Sequence, residues 1–142
     1  MPAGGLAALL RALIVWLLFI VAESAQGALR RTLLAPDVQL AARQVGVLIG
    51  ALLIFALTWA AWRWLRVRTA AGALAVGLAW AGLTAAFDLG LGRWTGASWP
   101  DLAADYDPGR GGLMGAGLAA MALTPWLVRR LRTGPEPGPR SP

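Results

Sequence analysis

Four long apolar stretches, each closed at both ends by arginine, constrain this chain more than any motif in it. They run from Arg11 to Arg30, Arg43 to Arg63, Arg68 to Arg93 and Arg110 to Arg129, intervals of 19 to 25 residues. At 1.5 Å per residue such intervals make helices of roughly 28 to 38 Å. A hydrocarbon core of about 30 Å takes ~20 residues to cross, so each interval predicts one transmembrane helix. Helices of a soluble bundle would show a polar face at 3.6-residue spacing, and these segments lack one. The expected fold is all-α: a polytopic membrane protein with four spans at about 11–29, 44–62, 69–91 and 111–128, in one domain over residues 1–132.

Composition agrees. Of 142 residues, 58% are hydrophobic and only 14% charged, where a soluble domain carries about 25% charged residues. There is no Cys and no His. That excludes disulfides, thiolate chemistry, Cys/His zinc sites, the usual haem ligands and any histidine general base, so no cofactor, metal or catalytic residue is expected. The net charge of +6 comes entirely from arginine, since the chain has no lysine. Those arginines punctuate apolar runs instead of forming a patch, which points to a lipid bilayer as partner and away from nucleic acid. Replacement of Lys by Arg throughout, beside abundant Ala, Gly and Pro, reads as the imprint of a GC-rich genome.

The loops give an orientation. The 63–70 loop holds Arg63, Arg66 and Arg68 without an acid, and the C-terminal end adds Arg129, Arg130, Arg132 and Arg140 against Glu136. The 92–110 loop instead carries Asp101, Asp105 and Asp107 against Arg93 and Arg110. Arginine-rich loops stay in the cytoplasm, so both termini and the 63–70 loop are expected there. Trp59, Trp62, Trp64, Trp94, Trp99 and Trp126 fall near span ends, where interfacial aromatics belong. The tail over 133–142, rich in Pro and Gly, reads as a disordered cytoplasmic end. The apolar run from Ala12 to Ala22 is also as short as a signal-peptide core, with Ala25 and Gly27 as small residues for a peptidase. The nearly uncharged segment before it favours a first span instead.

The two halves align when Gly27 is laid on Gly92, which puts Glu23 on Asp88. Pro36-Asp37 and Pro100-Asp101 follow, each trailed by Leu-Ala-Ala, and Arg43 and Arg110 open the next span. This reads as two duplicated helical hairpins related by an axis along the membrane normal, although an Ala- and Gly-rich chain produces such matches by chance. Both Pro-Asp pairs read as helix starts. PDVQLAARQ either lengthens the second span outwards or lies flat, PDLAAD forms a short interfacial helix, and Asp107-Pro108-Gly109 turns the chain.

Glu23 poses the sharpest question. It lies 12 residues beyond Arg11, or about 18 Å up a helix, and a charge in hydrocarbon costs about 2.5–3.5 kcal/mol on insertion scales. Gln26, Gly27 and Arg30 follow at i+3, i+4 and i+7 on the same face. Asp88 repeats the problem in the third span. Arg93, Arg43, Gln44, Asp105, Tyr106 and Arg110 are expected at the same outer level. The plainest reading is a set of interhelical ion pairs. The functional one is an outward-facing polar pocket in which arginine forks take an anionic lipid headgroup or a small anion. A third makes Glu23 and Asp88 proton-coupled carboxylates of a small transporter or channel. Gly46/Gly50 and Gly111/Gly115 have the spacing of close helix contacts, and Gly72, Gly77 and Gly82 thin the third span. The stretch RGGLMGAG lacks the Gly-Lys-Ser/Thr of a phosphate loop.

The stretches AESAQG, LAARQVGVLIG, FDLGLGRW and DYDPGRGGLMG, over residues 23 to about 115, resemble small four-span inner-membrane proteins of bacteria. The resemblance implies the inner membrane and four helices, and it brings no activity or site with it. Small multidrug-resistance transporters also combine four spans with a first-span Glu, but Glu23 lies off the midplane and lacks their surrounding aromatics. The expected role is non-catalytic: an accessory or structural membrane protein, as a homodimer or beside a membrane-complex partner.

Overall fold

The computed structural model describes residues 3–134, and these contain helices and no strand. The long helices are α1 (Ala3–Leu33), α2 (Gln39–Leu65), α3 (Ala70–Trp94) and α5 (Met114–Thr133), with a short α4 (Trp99–Ala104) between the last two. The tail expected to be disordered lies, from residue 135 onwards, outside the described residues, as do Glu136 and Arg140.

Three helices are long and apolar enough to cross a membrane. They span Gly5–Leu33, Pro36–Leu65 and Ala70–Trp94, and less than a quarter of each apolar window is buried inside the bundle. The remaining faces are apolar too: Val21, Leu48, Leu52 and Leu78 are all more than 60% exposed. In water such faces would drive aggregation. In lipid they are solvated. α5 is 20 residues long and carries Arg129, Arg130 and Arg132 near its end, so it falls outside that group.

The four long helices form a ring in which α1 packs on α2, α2 on α5 and α5 on α3, while α3 closes on α1 more loosely. One end gathers the N-terminal part of α1, the 63–70 loop and the end of α5. There Arg132 donates to the Trp59 carbonyl at 2.7 Å and lies over the Trp59 ring, Arg129 donates to the Arg68 carbonyl, and Arg11 lies over Trp64. The opposite end holds the 34–38 and 95–113 connections. Within PDVQLAARQ, Pro36–Val38 is a single 3-10 turn and the rest, from Gln39, lengthens α2. Ser98 and Asp101 cap α4 reciprocally. Hydrogen bonds from the Ser98 hydroxyl, then its N–H, hold the Asp101 carboxyl below the usual carboxylate range. Asp107 accepts from the Gly109 N–H in the turn expected there.

Association in lipid rests on close packing and interhelical hydrogen bonds, because lipid tails are as apolar as leucine. The core uses both. Phe19 and Trp80, 0% and 1% exposed, meet edge to face at 4.9 Å. Trp80 donates to the Ala12 carbonyl at 2.8 Å, and Trp16 to Thr84 at 3.0 Å. Thr58 and Thr124 satisfy their buried hydroxyls on the carbonyls four residues back. Gly77 lets α5 approach so closely that a Cβ there would collide with the Ala122 carbonyl. Gly82 has open space around it and Gly72 faces the Thr69 cap, so of these three only Gly77 thins α3 for a partner helix. Trp62 also departs from the expected interfacial belt: it is 9% exposed and belongs to the core.

Candidate functional site

One stripe of α1 explains why Glu23 is where it is. Ala12, Val15 and Phe19 are buried along it, and Glu23, Gln26 and Arg30 continue it at the same three- and four-residue steps, half-buried. α3 repeats the change from apolar to polar, from Ala73, Gly77 and Trp80 to Thr84 and Asp88. The helical period that buries the core thus carries both carboxylates into the bundle. They do not face lipid.

Where the stripes turn polar, the bundle encloses a cavity of about 420 Å³, a size typical of small-molecule sites. Its deep part is bounded by Ile54, Thr84 and Met121, where Thr84 accepts from Trp16 and donates to the Met121 sulfur. Nearer the 34–38 and 95–113 connections it is lined by Arg30, Arg31, Arg43, Asp105 and Arg110, with Gln44 on α2. Glu23 and Asp88 line it from α1 and α3.

The expected pairing of these carboxylates with arginines is not what the structure contains. Among the described residues the ion pairs are Arg43 with Asp105 and, more loosely at 3.7 Å, Arg110 with Asp107. Both arginines are therefore drawn towards the connection. Glu23 instead lies against Gly50, where an added Cβ would sit 2.6 Å from Oε1 and 3.0 Å from Oε2. Its Oε1 is buried with no protein donor, and the Arg30 Nε is likewise buried and unpartnered. Gly46 and Gly50, expected to bring backbones together, make room for the polar side chains of α1: Gln26 donates to the Gly46 carbonyl at 3.2 Å. Gly111 serves a turn, at φ +78°, and Gly115 faces open space, so that pair is no contact motif.

Three expected members stand apart from the cavity lining. Gln26 is spent on Gly46. Arg93 turns away, donating to the Ala97 carbonyl at 2.8 Å and lying over the Trp99 ring. Tyr106 has a buried hydroxyl without a partner. Burial first, then the charges of Asp88 and Asp105, push its pKa above the usual tyrosine value. Arg31, Ser24 and Thr84 line the cavity without having been singled out. Thr84 could have been found, since it precedes Asp88 by one helical turn. Arg31 could have been found as well, since it stands one turn beyond Gly27 on the Glu23 face.

The long apolar helices and the charged cavity between them point to a membrane protein with a polar interior site. No protein-family profile, curated protein or solved structure matches the chain.

Proposed function

We propose that this chain is a four-span protein of the bacterial inner membrane, with both termini cytoplasmic, in which the outward-facing cavity binds the charged headgroup of an anionic lipid. The role is non-catalytic and accessory, with a homodimer or a membrane-complex partner as its setting. The observation that carries the reading is the cavity itself, with four arginines lining it and Arg30 and Arg31 outside any ion pair among the described residues. Guanidinium forks match phosphate oxygens in geometry as well as charge. Apolar side chains at its deep end and arginines at its mouth suit an amphiphile better than a fully hydrated ion.

α5 acts as the fourth crossing in this reading. Its 20 residues make about 30 Å of helix, and it runs beside α2 and α3 from one end of the bundle to the other. The hairpin duplication belongs to the same reading: α1 packs on α2 and α3 packs on α5, as two helical hairpins would.

Thermal unfolding in neutral detergent tests the proposal. A ligand that binds only the folded state stabilises it by RT ln(1 + [L]/Kd), about 2.7 kcal/mol at a hundred times Kd. Phosphatidylglycerol is expected to raise the melting temperature more than phosphatidylcholine. Arg30→Gln should weaken that difference more than Arg43→Gln, because Arg43 is committed to Asp105. Equal shifts with the two lipids would overturn the reading.

A second reading, a small transporter or channel, is favoured by one observation: Glu23 and Asp88 face a single cavity whose deep end is closed by the Trp16–Thr84–Met121 chain. Proton flux in proteoliposomes that is lost in Glu23→Gln would establish it over the accessory role.

A further inference from the structure

The cavity has a neighbour. On the outer side of the α1–α2 pair lies a second, open groove of about 510 Å³, lined by Leu29, Leu33, Val38, Ala42, Val45 and Ile49. Beyond Val38 it follows α2 from Ala41 to Ile49, about 12 Å of helix. Its polar members are Gln26, already bonded to the Gly46 carbonyl, and Arg30. Arg30 lines the charged cavity as well. A single guanidinium therefore stands between an apolar groove open to the bilayer and a charged cavity inside the bundle, with its Nε buried and unpartnered.

We propose that this seam is the acyl-chain half of the lipid site: one chain of an anionic phospholipid lies in the α1–α2 groove and its phosphate meets Arg30 at the entrance to the cavity. The inference rests on the headgroup reading above and adds where the lipid enters and which residues hold its tail. Any lipid-facing groove is covered by some acyl chain. What makes this one a site is the charge at its inner edge, which a zwitterionic or neutral lipid satisfies less well than an anionic one. Gly46 lies against the same seam, since a Cβ there would be in contact, at 3.4 Å, with both the Arg30 Nη1 and the Gln26 amide nitrogen.

The experiment compares wild type with Ala42→Phe and Val45→Trp, two independent ways of filling the groove at positions that are not buried. Each protein, in neutral detergent, is melted with phosphatidylglycerol, with phosphatidylcholine, and with glycerol 3-phosphate, which has the headgroup charge and no chain. The expected result is a drop of ten-fold or more in the apparent affinity for phosphatidylglycerol in both variants, with the glycerol 3-phosphate response kept. A phosphatidylglycerol carrying a diazirine in its chain should label residues 38–49 of wild type, and labelling should fall in Arg30→Gln. Full retention of the phosphatidylglycerol shift by both filled variants, or label spread evenly over the outer faces of α1, α2 and α3, would overturn the groove site and leave the headgroup cavity standing. Absence of any response to phosphatidylglycerol and glycerol 3-phosphate in wild type would overturn both.

Discussion

Tyr106 gives the cleanest single-residue test, because it is the only tyrosine in a chain without Lys or Cys. No other side-chain type in the chain has an ordinary pKa between 9 and 12. Burial and the nearby carboxylates raise its pKa in the folded protein, so ionising it costs the folded state more than the unfolded one. Its contribution is therefore fully present below about pH 10 and is lost as pH rises through the raised value. Melting temperature should fall across that window in wild type and fall less in Tyr106→Phe. At pH 7 Tyr106→Phe should be neutral or slightly stabilising, since it removes a buried hydroxyl that has no partner. Gly50 and Glu23 provide the second test. Gly50→Ala would push the carboxylate out of its seat, and the flexible Glu23 side chain can yield more easily than a backbone. A double-mutant cycle with Glu23→Ala should return a coupling of about 1 kcal/mol, the size found for residues in contact. A cycle that closes at zero would place the carboxylate away from Gly50.

At the scale of helices, the α3–α5 pair depends on Gly77 in a way that no charge does. An alanine there meets the Ala122 carbonyl, which is helix backbone and cannot swing aside, so the two helices must separate. Overpacking of this kind costs about 1–3 kcal/mol. Gly82→Ala, five residues on and facing open space, should instead hold or raise stability, since alanine is preferred to glycine in a helix by about 1 kcal/mol. Melting the two variants side by side in detergent separates a packing glycine from a merely permissive one. Equal melting temperatures would mean that α3 and α5 are not in close contact. The α1–α3 contact obeys a different rule. It is made by large side chains, Trp16, Phe19 and Trp80, and by two indole hydrogen bonds, one of which, from Trp16 to Thr84, lies at the deep end of the cavity. Small residues draw α3 and α5 together and bulky ones hold α1 off α3, which leaves room for a cavity beyond Thr84.

For the molecule as a whole, orientation is the property that everything outward-facing rests on. A phosphatase fused after Thr133 should be inactive and the same reporter placed in the 95–98 connection active, and the reverse pattern would put the cavity mouth in the cytoplasm. Helicity and the apolar surface were legible from the chain alone. Largely apolar intervals of 19 to 25 residues between arginines are the length at which a single helix satisfies its own backbone across lipid. The Pro-Asp helix starts and the turn at Asp107 were equally local, hence readable. The partners of the charged residues were not. Sequence spacing put Glu23, Gln26 and Arg30 on one face, but the loop carboxylates Asp105 and Asp107 took the pairing arginines, and Gly50 of a different helix seats Glu23. Those choices depend on the rotation and separation of packed helices, which are set by contacts between residues far apart in the chain. Periodicity within one segment says which way a side chain points; only the assembled bundle decides what stands opposite it.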